Sequence, residues 1–504
     1  MAHYIWDTWP HLRLNRSILS ILVGRKKEIA ILTNAVESDT SELIALYGRR
    51  RIGKTYLVRE VLGDSDIYFE LTGTSGASLQ IQLGHFVDSY RRTFGQDFSL
   101  TPPKDWDTAF RILIRGLSDI ESSRRIVVFL DELPWLSSAK SNFIPSLEYF
   151  WNSWASGKSN IVVILCGSAS SWILDNVIRS HGGLHNRLTR TIRLFPFKLF
   201  EVKQYFHEKN FSITDDQIAE LYMTIGGIPH YLNMVEKGMS AAHNIGRICF
   251  SRDGALFREY ENLFASLFKE PARYEKCIKA LANSSNGLLR EQISNVTGIA
   301  SGGTLSRILY ALEESGFITR YPQLMYKSRD ALYKLTDEFC QFHHTWINRY
   351  HANLLAEEAK GRWQGLYGTP KWYAWSGLAF ERLCLKHISQ IKKAIGISGI
   401  QSDSYTWHHR AGKNEGRGTQ IDLLIDRTDR CMNICEMKYS TAEYVISKSY
   451  AETLANREEI FRNVTGTKKT IFLTMVTSNG IKRNSYYEQL ISNDVTLEDL
   501  FEKI

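Results

Sequence analysis

The sequence lacks the features that mark membrane, secreted and zinc-binding proteins. No apolar run approaches the roughly 18 residues that a membrane-spanning helix needs. Residues 1–16 contain no charged leader followed by an apolar stretch, so we expect no signal peptide. The seven cysteines form no Cys-x-x-Cys pair and show no zinc-like spacing, which is typical of free thiols in a reducing compartment. We therefore expect a cytoplasmic protein without a membrane partner.

The chain also lacks a strong excess of one charge. Lys and Arg number 62 against 54 Asp and Glu, which gives a net charge of +8. This excess permits a nucleic-acid partner without requiring one. The hydrophobic content of 43% and the charged content of 23% are ordinary for a globular protein. The length of 504 residues is enough for about three domains.

A phosphate-binding loop is the most specific motif in the chain. Apolar residues 43–47 lead into Gly48-Arg49-Arg50-Arg51-Ile52-Gly53-Lys54-Thr55-Tyr56, and a helical pattern follows. This order of strand, glycine-rich turn and helix is the context that the motif requires. Backbone N–H groups and the helix N-terminus bind phosphate oxygens. Lys54 reaches the β- and γ-phosphates and Thr55 binds Mg²⁺, so we predict that this loop binds ATP with Mg²⁺.

Two apolar runs that follow carry further candidate residues. The first ends in Asp131-Glu132. Phosphoryl transfer needs one carboxylate in the Mg²⁺ shell, which we assign to Asp131, and one that polarises the attacking water, which we assign to Glu132. The second run ends in Gly167-Ser168. Ser168 either senses the γ-phosphate through a hydrogen bond or caps a helix, and both roles are compatible.

These segments together resemble the archaeal-type P-loop ATPases of the AAA/STAND group. The resemblance covers about the first half of the chain, from Gly24-Arg25 onwards. It implies that Gly24 and Arg25 form the adenine-side entry, although a plain helix N-terminus is equally compatible with them. It further implies that Pro229, in Gly226-Gly227-Ile228-Pro229, contacts the nucleotide from a helical lid.

An arginine finger is a further element that this kind of ATPase uses. The loop after Gly182 offers Arg187 or Arg190, either of which would reach the nucleotide of a neighbouring subunit in a homo-oligomer. A solvated or structural arginine is the alternative at both positions. A ring-forming motor would require such a finger.

Residues 273–335 show three short helical patterns followed by two strand-like runs, which is the order of a winged helix. The helix predicted from Gly303 to Ser315 has an apolar face and is the expected recognition helix. The candidates for phosphate contact are Ser301, Thr304, Ser306 and Arg307 at this helix, with Lys327 and Arg329 on the wing. The alternative is that this module only braces the ATPase.

The last part of the chain has acidic residues on two predicted strands. Residues 420–425 include Asp422, and residues 432–437 lead into Glu436-Met437-Lys438. Paired carboxylates hold a metal ion that activates water for phosphodiester hydrolysis, and Lys438 would stabilise charge at the phosphate. We predict that Asp422 and Glu436 bind Mg²⁺ or Mn²⁺ and that Glu381, on the preceding helix, adds a ligand.

This segment resembles the C-terminal domain of unknown function that belongs to the PD-(D/E)xK nuclease superfamily and is fused to such ATPases. Glu-x-Lys alone is a weak signal, because Glu201-Val202-Lys203 repeats it in a predicted helix. The sequence also departs from the superfamily pattern, since Ile421-Asp422 stands where Pro-Asp is usual. This departure is a common one. The alternative is a degenerate nuclease fold that is kept for binding or assembly.

The predicted fold class is α/β: a P-loop NTPase with a parallel sheet flanked by helices, a helical lid, a winged helix and a restriction-endonuclease-like domain. The predicted ranges are an N-terminal extension (1–20), the ATPase core (21–197), the lid (198–270), the winged helix (271–345), a linker helix (346–370) and the nuclease-like domain (371–504). We predict an ATP-hydrolysing protein that binds nucleic acid, by expectation DNA, and carries a nucleotide-controlled nuclease. The resemblance implies defence against mobile DNA as a setting. The alternative is a nucleotide-gated switch or scaffold that does not cleave.

Overall fold

The computed structural model describes residues 22–95, 100–121, 123–138, 140–179, 182–184, 186–326, 330–350, 361–409 and 418–504. The chain divides between Pro196 and Phe197 into two compact units. Within the described ranges, no helix has both the length and the apolar character needed to cross a membrane.

The first unit alternates strands with helices, as its sequence pattern predicts. Its elements are α1 (Lys26–Val36), β1 (Glu42–Gly48), α2 (Lys54–Leu62), β2 (Ile67–Thr72), α3 (Leu79–Phe94), α4 (Trp106–Ser118), β3 (Ile126–Asp131), α5 (Leu133–Leu136), α6 (Phe143–Ser153), β4 (Ile161–Gly167), α7 (Ser170–Ile173) and β5 (Arg190–Leu194). The helix α7 continues into a π-helical turn.

The five strands of the first unit form one parallel sheet in the order β2-β3-β4-β1-β5. Strands β1, β3 and β4 are buried along their whole length, as expected for a parallel sheet that is covered on both faces. Parallel strands end at the same edge of a sheet. The loop after β1, the acids that end β3 and the serine after β4 therefore come together at that edge, which is where α/β proteins bind ligands.

The second unit begins with helices that the sequence predicts as a lid. They are α8 (Leu199–Glu208), α9 (Asp215–Ile225), α10 (Pro229–Leu232), α11 (Ala241–Cys249) and α12 (Glu259–Ala265). The helix α10 is short and ends at Leu232. The Asn244 side chain explains this end: it accepts a hydrogen bond from Glu236 N (2.8 Å) and donates one to Glu236 O (3.1 Å). These bonds replace the helical partners of that backbone.

Residues 271–335, which we call the hairpin segment, show three helices and two strands among their described residues, in the predicted order. They are α13 (Pro271–Ala282), α14 (Arg290–Thr297), α15 (Gly303–Glu314), β6 (Ile318–Tyr321) and β7 (Leu332–Leu335). The two strands are antiparallel, with Ile318 opposite Leu335. The buried side chains of α15 recur at helical spacing (Leu305, Ile308, Leu309 and Leu312), so this helix packs the face that its sequence predicts.

The remainder of the second unit is a mixed α/β region. Its elements are α16 (Glu338–Phe342), α17 (Arg362–Leu366), α18 (Pro370–Lys386), α19 (Ile388–Ala394), β8 (Ser402–His409), β9 (Thr419–Arg427), β10 (Cys431–Lys438), α20 (Lys448–Thr465), β11 (Thr470–Thr477), α21 (Ser485–Leu490), β12 (Ile491–Thr496) and α22 (Leu497–Leu500). Of the predicted linker helix 346–370, residues 351–360 lie outside the described ranges.

The strands of this region form a second sheet, in the order β12-β11-β10-β9-β8. The strand β9 is antiparallel to both of its neighbours, β8 and β10, whereas β11 and β12 run parallel to β10. An apolar core lies between the sheet and α20, where Trp407 meets Phe461 at 5.0 Å between ring centroids. On α18, Phe380 lies 5.9 Å from Tyr439 at the end of β10. The separation of this region from the lid and the hairpin segment as independent domains stays a prediction.

Candidate nucleotide and metal sites

The phosphate loop begins at a glycine that no other residue can replace without a clash. Gly48 has φ +148°, and a Cβ atom built there would lie 2.4 Å from Leu194 O and 2.7 Å from Ile52 Cδ1. Arg51 and Gly53 also have positive φ, at 71° and 92°. These conformations let the backbone curl so that its N–H groups can face an anion.

Lys54 is held against this loop by three hydrogen bonds. Its Nζ donates to the carbonyl oxygens of Gly48 and Arg49 and to Ser168 Oγ, each at 3.0 Å. The side chain is buried although it is charged. The loop therefore fixes its own cation at the place where the motif predicts phosphate binding.

The two acids that end β3 have separate partners, as their predicted roles require. Thr55 Oγ1 donates to Asp131 Oδ2 at 2.6 Å, which joins the two predicted Mg²⁺ ligands. Glu132 instead accepts two bonds from Ser168, from Oγ at 2.5 Å and from the backbone N–H at 3.2 Å. Lys54, Ser168 and Glu132 thus form one chain of hydrogen bonds.

Ser168 does not cap the helix that follows it. The residue before α7 is Ala169, and no side chain caps that helix. Of the two roles predicted for Ser168, the structure therefore favours the one at the nucleotide site. Sequence reasoning did not predict that Ser168 would link Lys54 to Glu132, because that link depends on β1, β3 and β4 lying side by side.

The entry segment contacts the phosphate loop directly. Arg25 is buried, and its Nη2 donates to Ile52 O at 3.2 Å. Gly24 and Arg25 both have positive φ, at 66° and 57°. Within the loop Arg49 is buried, whereas Tyr56 is 42% exposed. Contact of these residues and of Arg50 with a nucleotide stays a prediction.

The two candidate arginine fingers have different surroundings. Arg190 binds Glu42 with Nη2 at 3.0 Å and Nε at 3.2 Å. Burial alone would raise the pKa of Glu42, but its bonds to Arg190 and Thr189 lower it. Glu42 begins β1, at the end of the strand opposite the phosphate loop. These contacts favour the structural role for Arg190, whereas Arg187 is exposed.

The glycines of the predicted lid motif have a packing role in the second unit. Phe197 N donates to Gly227 O at 2.7 Å, and a Cβ atom at Gly227 would lie 2.0 Å from Phe197 O. Gly226 has φ +67°. Pro229 then begins α10. This packing accounts for both glycines, and contact of Pro229 with a nucleotide stays a prediction.

The candidate metal site contains two carboxylates that approach one ammonium group. Lys334 Nζ, on β7, lies 3.3 Å from Glu381 Oε1 and 3.9 Å from Asp422 Oδ1. Asp422 Oδ1 also accepts a bond from Gln420 Nε2 at 2.5 Å. Burial, followed by the charge of Asp422, raises the pKa of Glu381. Two of the predicted ligands are therefore brought together although they lie far apart in sequence.

The third predicted ligand has cationic partners of its own. Glu436 Oε1 lies 2.7 Å from Lys438 Nζ and accepts a bond from the Tyr450 hydroxyl at 2.7 Å. Its other oxygen pairs with Arg457. Burial raises the pKa of Glu436, but Lys438 and Arg457 outweigh that effect and lower it. Sequence analysis missed Tyr450 and Arg457, which α20 contributes.

The strand positions of Asp422 and Glu436 bring the two acids close to each other. Asp422 lies inside β9, and Glu436 lies near the end of β10. Leu423 and Cys435 are paired residues of the two antiparallel strands, and Asp422 directly precedes Leu423 while Glu436 directly follows Cys435. The two carboxylates thus start from neighbouring positions.

The donor chemistry fits a hard cation, but the acids are not arranged as a ligand cage. Carboxylate oxygens are the ligands that Mg²⁺ and Mn²⁺ prefer. Among the residues that the structure describes, no three or more His, Cys, Asp or Glu side chains are grouped so that they could hold a metal ion. The predicted ligands instead form two carboxylate groups, each neutralised by side chains of the chain itself.

The predicted nucleic-acid contacts at α15 are partly engaged within the hairpin segment. Arg290 donates to Ser306 Oγ at 2.7 Å, to Gly302 O at 2.9 Å and to Ser301 Oγ at 3.3 Å. Arg307 is exposed and Thr304 is half-buried. The wing candidates Lys327 and Arg329 lie outside the described residues.

The first part of the chain matches a known protein family, and two known sequences are similar to the chain. Residues 22–235 match a family described as an ATPase domain predominantly from Archaea. An uncharacterized protein of Methanocaldococcus jannaschii is 24% identical over 429 residues, which cover 83% of this chain and 88% of that protein. An uncharacterized ATP-binding protein of the same organism is 40% identical over 47 residues, 9% of this chain and 80% of that protein.

Solved structures also match the chain, at low sequence identity. The Walker-type ATPase of Pyrococcus abyssi has a TM-score of 0.47 and 19% identity, and the match covers 64% of this chain and 96% of that one. The ORC2 protein of Aeropyrum pernix, solved in complexes with ADPNP and ADP, has a TM-score of 0.39 and 13% identity, with 69% and 98% covered.

The family match confirms the predicted archaeal-type ATPase domain in the first part of the chain. It ends at residue 235 and therefore does not reach the hairpin segment or the second sheet. The ATPase-type function is supported at the level of the domain, while the nuclease and the nucleic-acid partner stay predictions.

Proposed function

We propose that the chain hydrolyses ATP and uses its nucleotide state to control metal-dependent cleavage of nucleic acid. The observation that carries the second part is that Glu381 and Asp422 approach the same ammonium group. Glu436 starts from the strand position next to that of Asp422. Acidic side chains gathered from a helix and two strands, beside a Glu-x-Lys sequence, suit a metal-dependent phosphodiesterase.

The roles at the nucleotide site follow from the hydrogen bonds there. Lys54 is placed to neutralise charge on the β- and γ-phosphates, and Mg²⁺ held through Thr55 and Asp131 would supply further positive charge when bound. Glu132 is placed to orient the attacking water. Ser168 donates to Glu132 and accepts from Lys54, so it fixes the positions of both side chains.

At the second sheet, some side chains would bind the metal ion and others would hold those ligands in position. Asp422, Glu381 and Glu436 would hold Mg²⁺ or Mn²⁺, which activates water when bound. Lys438 is placed to stabilise negative charge on the phosphate. Tyr450 and Arg457 are positioning residues, because each contacts Glu436 and fixes its carboxylate.

The nucleic-acid partner is proposed to be DNA, held between the hairpin segment and the second sheet. A cavity of ≈ 540 Å³ lies there, and its lining includes Gln323, Tyr326, His408 and Gln420. Gln420 also donates to Asp422, so this cavity reaches the candidate metal site. The basic Arg307 on α15 suits phosphate contact. Homo-oligomers, with Arg187 as the finger, and a setting in defence against mobile DNA belong to the same proposal.

A scaffold that is gated by nucleotide but does not cut is the second candidate function. One observation favours it: each acidic group already has a cationic partner, Lys334 on one side and Lys438 with Arg457 on the other. Such pairing of acids with lysine and arginine is expected at a degenerate site, in which side-chain cations have replaced the metal ion. Cleavage is the outcome that separates the two functions.

The test is a cleavage assay on the full chain. Labelled single- and double-stranded DNA and RNA are incubated with Mn²⁺ or Mg²⁺, with and without ATP. We expect cleavage in at least one nucleotide state. Asp422→Asn and Glu436→Gln should lower its rate by about a hundredfold or more and leave ATP hydrolysis unchanged, while Lys438→Ala keeps a small residual rate.

The second Glu-x-Lys sequence of the chain supplies a matched control. Lys203 on α8 pairs with Asp215 at 2.8 Å and is half exposed. Lys203→Ala should therefore leave cleavage at the wild-type rate. Absence of cleavage by the wild-type chain in every nucleotide state would establish the scaffold function instead.

A further inference from the structure

We infer that Lys334 is an internal cation which excludes divalent metal from the candidate metal site until the hairpin segment withdraws it. This inference rests on the proposed metal site and adds its regulation. In the state that the structure shows, the site would be closed by the chain itself. Metal binding would then require that β7, which carries Lys334, moves away from the two acids.

The position of Lys334 is the first support. Its ammonium lies within 4 Å of one oxygen of Glu381 and one of Asp422, and its side chain is only 6% exposed. A metal ion bound by both acids would need oxygens at about 2.0–2.1 Å for Mg²⁺. Such an ion would occupy space close to the ammonium and would compete with it for the same two oxygens.

The charges support the same conclusion. An ammonium and a divalent cation a few ångströms apart repel each other strongly in a buried site. Removal of Lys334 without a metal would leave Glu381 and Asp422 as neighbouring half-buried anions without their shared cation, which is also costly. The site therefore favours one cation at a time, and the two cations exchange.

The hairpin segment contacts the second sheet through backbone hydrogen bonds and one apolar side chain. Leu324 N donates to Thr406 O on β8 at 3.1 Å, and Thr406 N donates to Pro322 O at 3.1 Å. Leu324 also packs against the apolar core beneath α20. These contacts lie in the loop after β6, so movement of the hairpin would carry Lys334 on β7 with it.

The stem of Lys334 is held on its other side as well. A Cβ atom at Gly287 would lie 2.8 Å from Lys334 Cγ, and Gly287 has φ +81°. Leu288, the next residue, pairs with Tyr333 through two backbone hydrogen bonds of 2.9 and 3.0 Å. The backbone of Lys334 is thus part of the hairpin segment, while its ammonium lies at the two acids. A residue that closes the metal site when the hairpin segment is in place needs both properties.

A purely structural ion pair is the competing explanation, and metal affinity distinguishes the two. The test titrates the full chain with Mn²⁺ alone, without nucleotide, and follows free Mn²⁺ by electron paramagnetic resonance. Asp422→Asn defines the share of binding that belongs to this site. Lys334→Met removes the charge and keeps the apolar stem, whereas Lys334→Gln also keeps a donor and serves if the Met variant does not fold.

We expect both neutral variants to bind Mn²⁺ at the site that depends on Asp422 about tenfold more tightly, or more, than the wild-type chain. Lys334→Arg keeps the charge and should show the wild-type affinity. Lys386→Met is the control for loss of a half-buried lysine, since Lys386 pairs with Glu338 in the same unit. It should leave Mn²⁺ affinity unchanged.

Each outcome has a distinct meaning. Equal affinity in the wild-type chain and both neutral variants, with binding still dependent on Asp422, would overturn the exclusion by Lys334 and leave the proposed metal site intact. Absence of any binding that depends on Asp422, in all variants, would overturn the proposed metal site and this inference with it.

Discussion

Glu132 has an unfavourable backbone conformation. It adopts φ 49° and ψ 50° in the left-handed region, which costs an L-residue roughly 1–2 kcal/mol. In this conformation its carboxylate accepts both bonds from Ser168. The sequence predicted the acid and its role from the end of an apolar strand. It did not predict the conformation or the link to Lys54, because both depend on the neighbouring strand β4.

At the residue scale, the first prediction concerns Glu132→Gln. The amide keeps the size of the side chain but cannot take up a proton, so we expect kcat for ATP hydrolysis to fall by about a hundredfold or more. The affinity for ATP should be retained. Phosphate release measures the rate, and nucleotide titration measures binding. Glu37 is an exposed acid after α1, and Glu37→Gln should leave the rate of hydrolysis and the affinity for ATP at wild-type values. Hydrolysis by Glu132→Gln at the wild-type rate would show that another group orients the water.

At the scale of elements, α9 departs from the amphipathic pattern of a surface helix. Every residue from Ile218 to Ile225 is buried, including the acid Glu220. Tyr367 donates to Glu220 Oε2 at 3.3 Å, and among the described residues Oε1 has no hydrogen-bond partner. The sequence predicted a helical lid in this region. It could not predict that α16 and α18 would cover its remaining faces, because those helices lie more than a hundred residues further along the chain.

This burial makes a prediction about stability and pH. Desolvation raises the pKa of Glu220 to about 7, so the folded chain favours the protonated acid. Its contribution to stability is complete below the ordinary pKa of about 4.5 and is lost as pH rises through about 7. At about 1.4 kcal/mol for each pKa unit, the free energy of unfolding should fall by roughly 3 kcal/mol through this group.

The measurement is urea unfolding of the wild-type chain and Glu220→Gln at pH 5 and pH 8. We expect Glu220→Gln to be more stable than wild type at pH 8 and close to it at pH 5. Glu208→Gln, an exposed acid on α8, is the matched control and should follow wild type at both values. Parallel pH dependence in wild type and Glu220→Gln would show that Glu220 is ionised in the folded chain.

At the scale of the whole molecule, local patterns and distant contacts were predictable to different degrees. The strand, loop and helix at the phosphate loop, and the order of three helices and two strands in the hairpin segment, were predictable because each element has its own apolar period and its own end signals. Lys334 near Glu381 was not predictable. That contact joins β7 to α18 across 47 positions of the chain, and nothing in either segment indicates it.

The last prediction concerns coupling between the two candidate sites, which lie in different units of the chain. If ATP changes the affinity for nucleic acid, nucleic acid must change the affinity for ATP by the same factor, because binding free energies are reciprocal. Glu132→Gln allows the measurement, since its bound ATP is not consumed. We expect a coupling of about fivefold or more in both directions, read from ATP titrations with and without DNA and from DNA titrations with and without ATP. Lys54→Ala, which loses the phosphate contact, should abolish the effect of ATP on both DNA binding and cleavage.

Asp422→Asn should keep the coupling of binding while it loses cleavage, since it removes a metal ligand and leaves the phosphate loop intact. Equal affinities in the presence and absence of the other ligand would mean that the two sites act independently, and the nucleotide would then have no control over the second sheet.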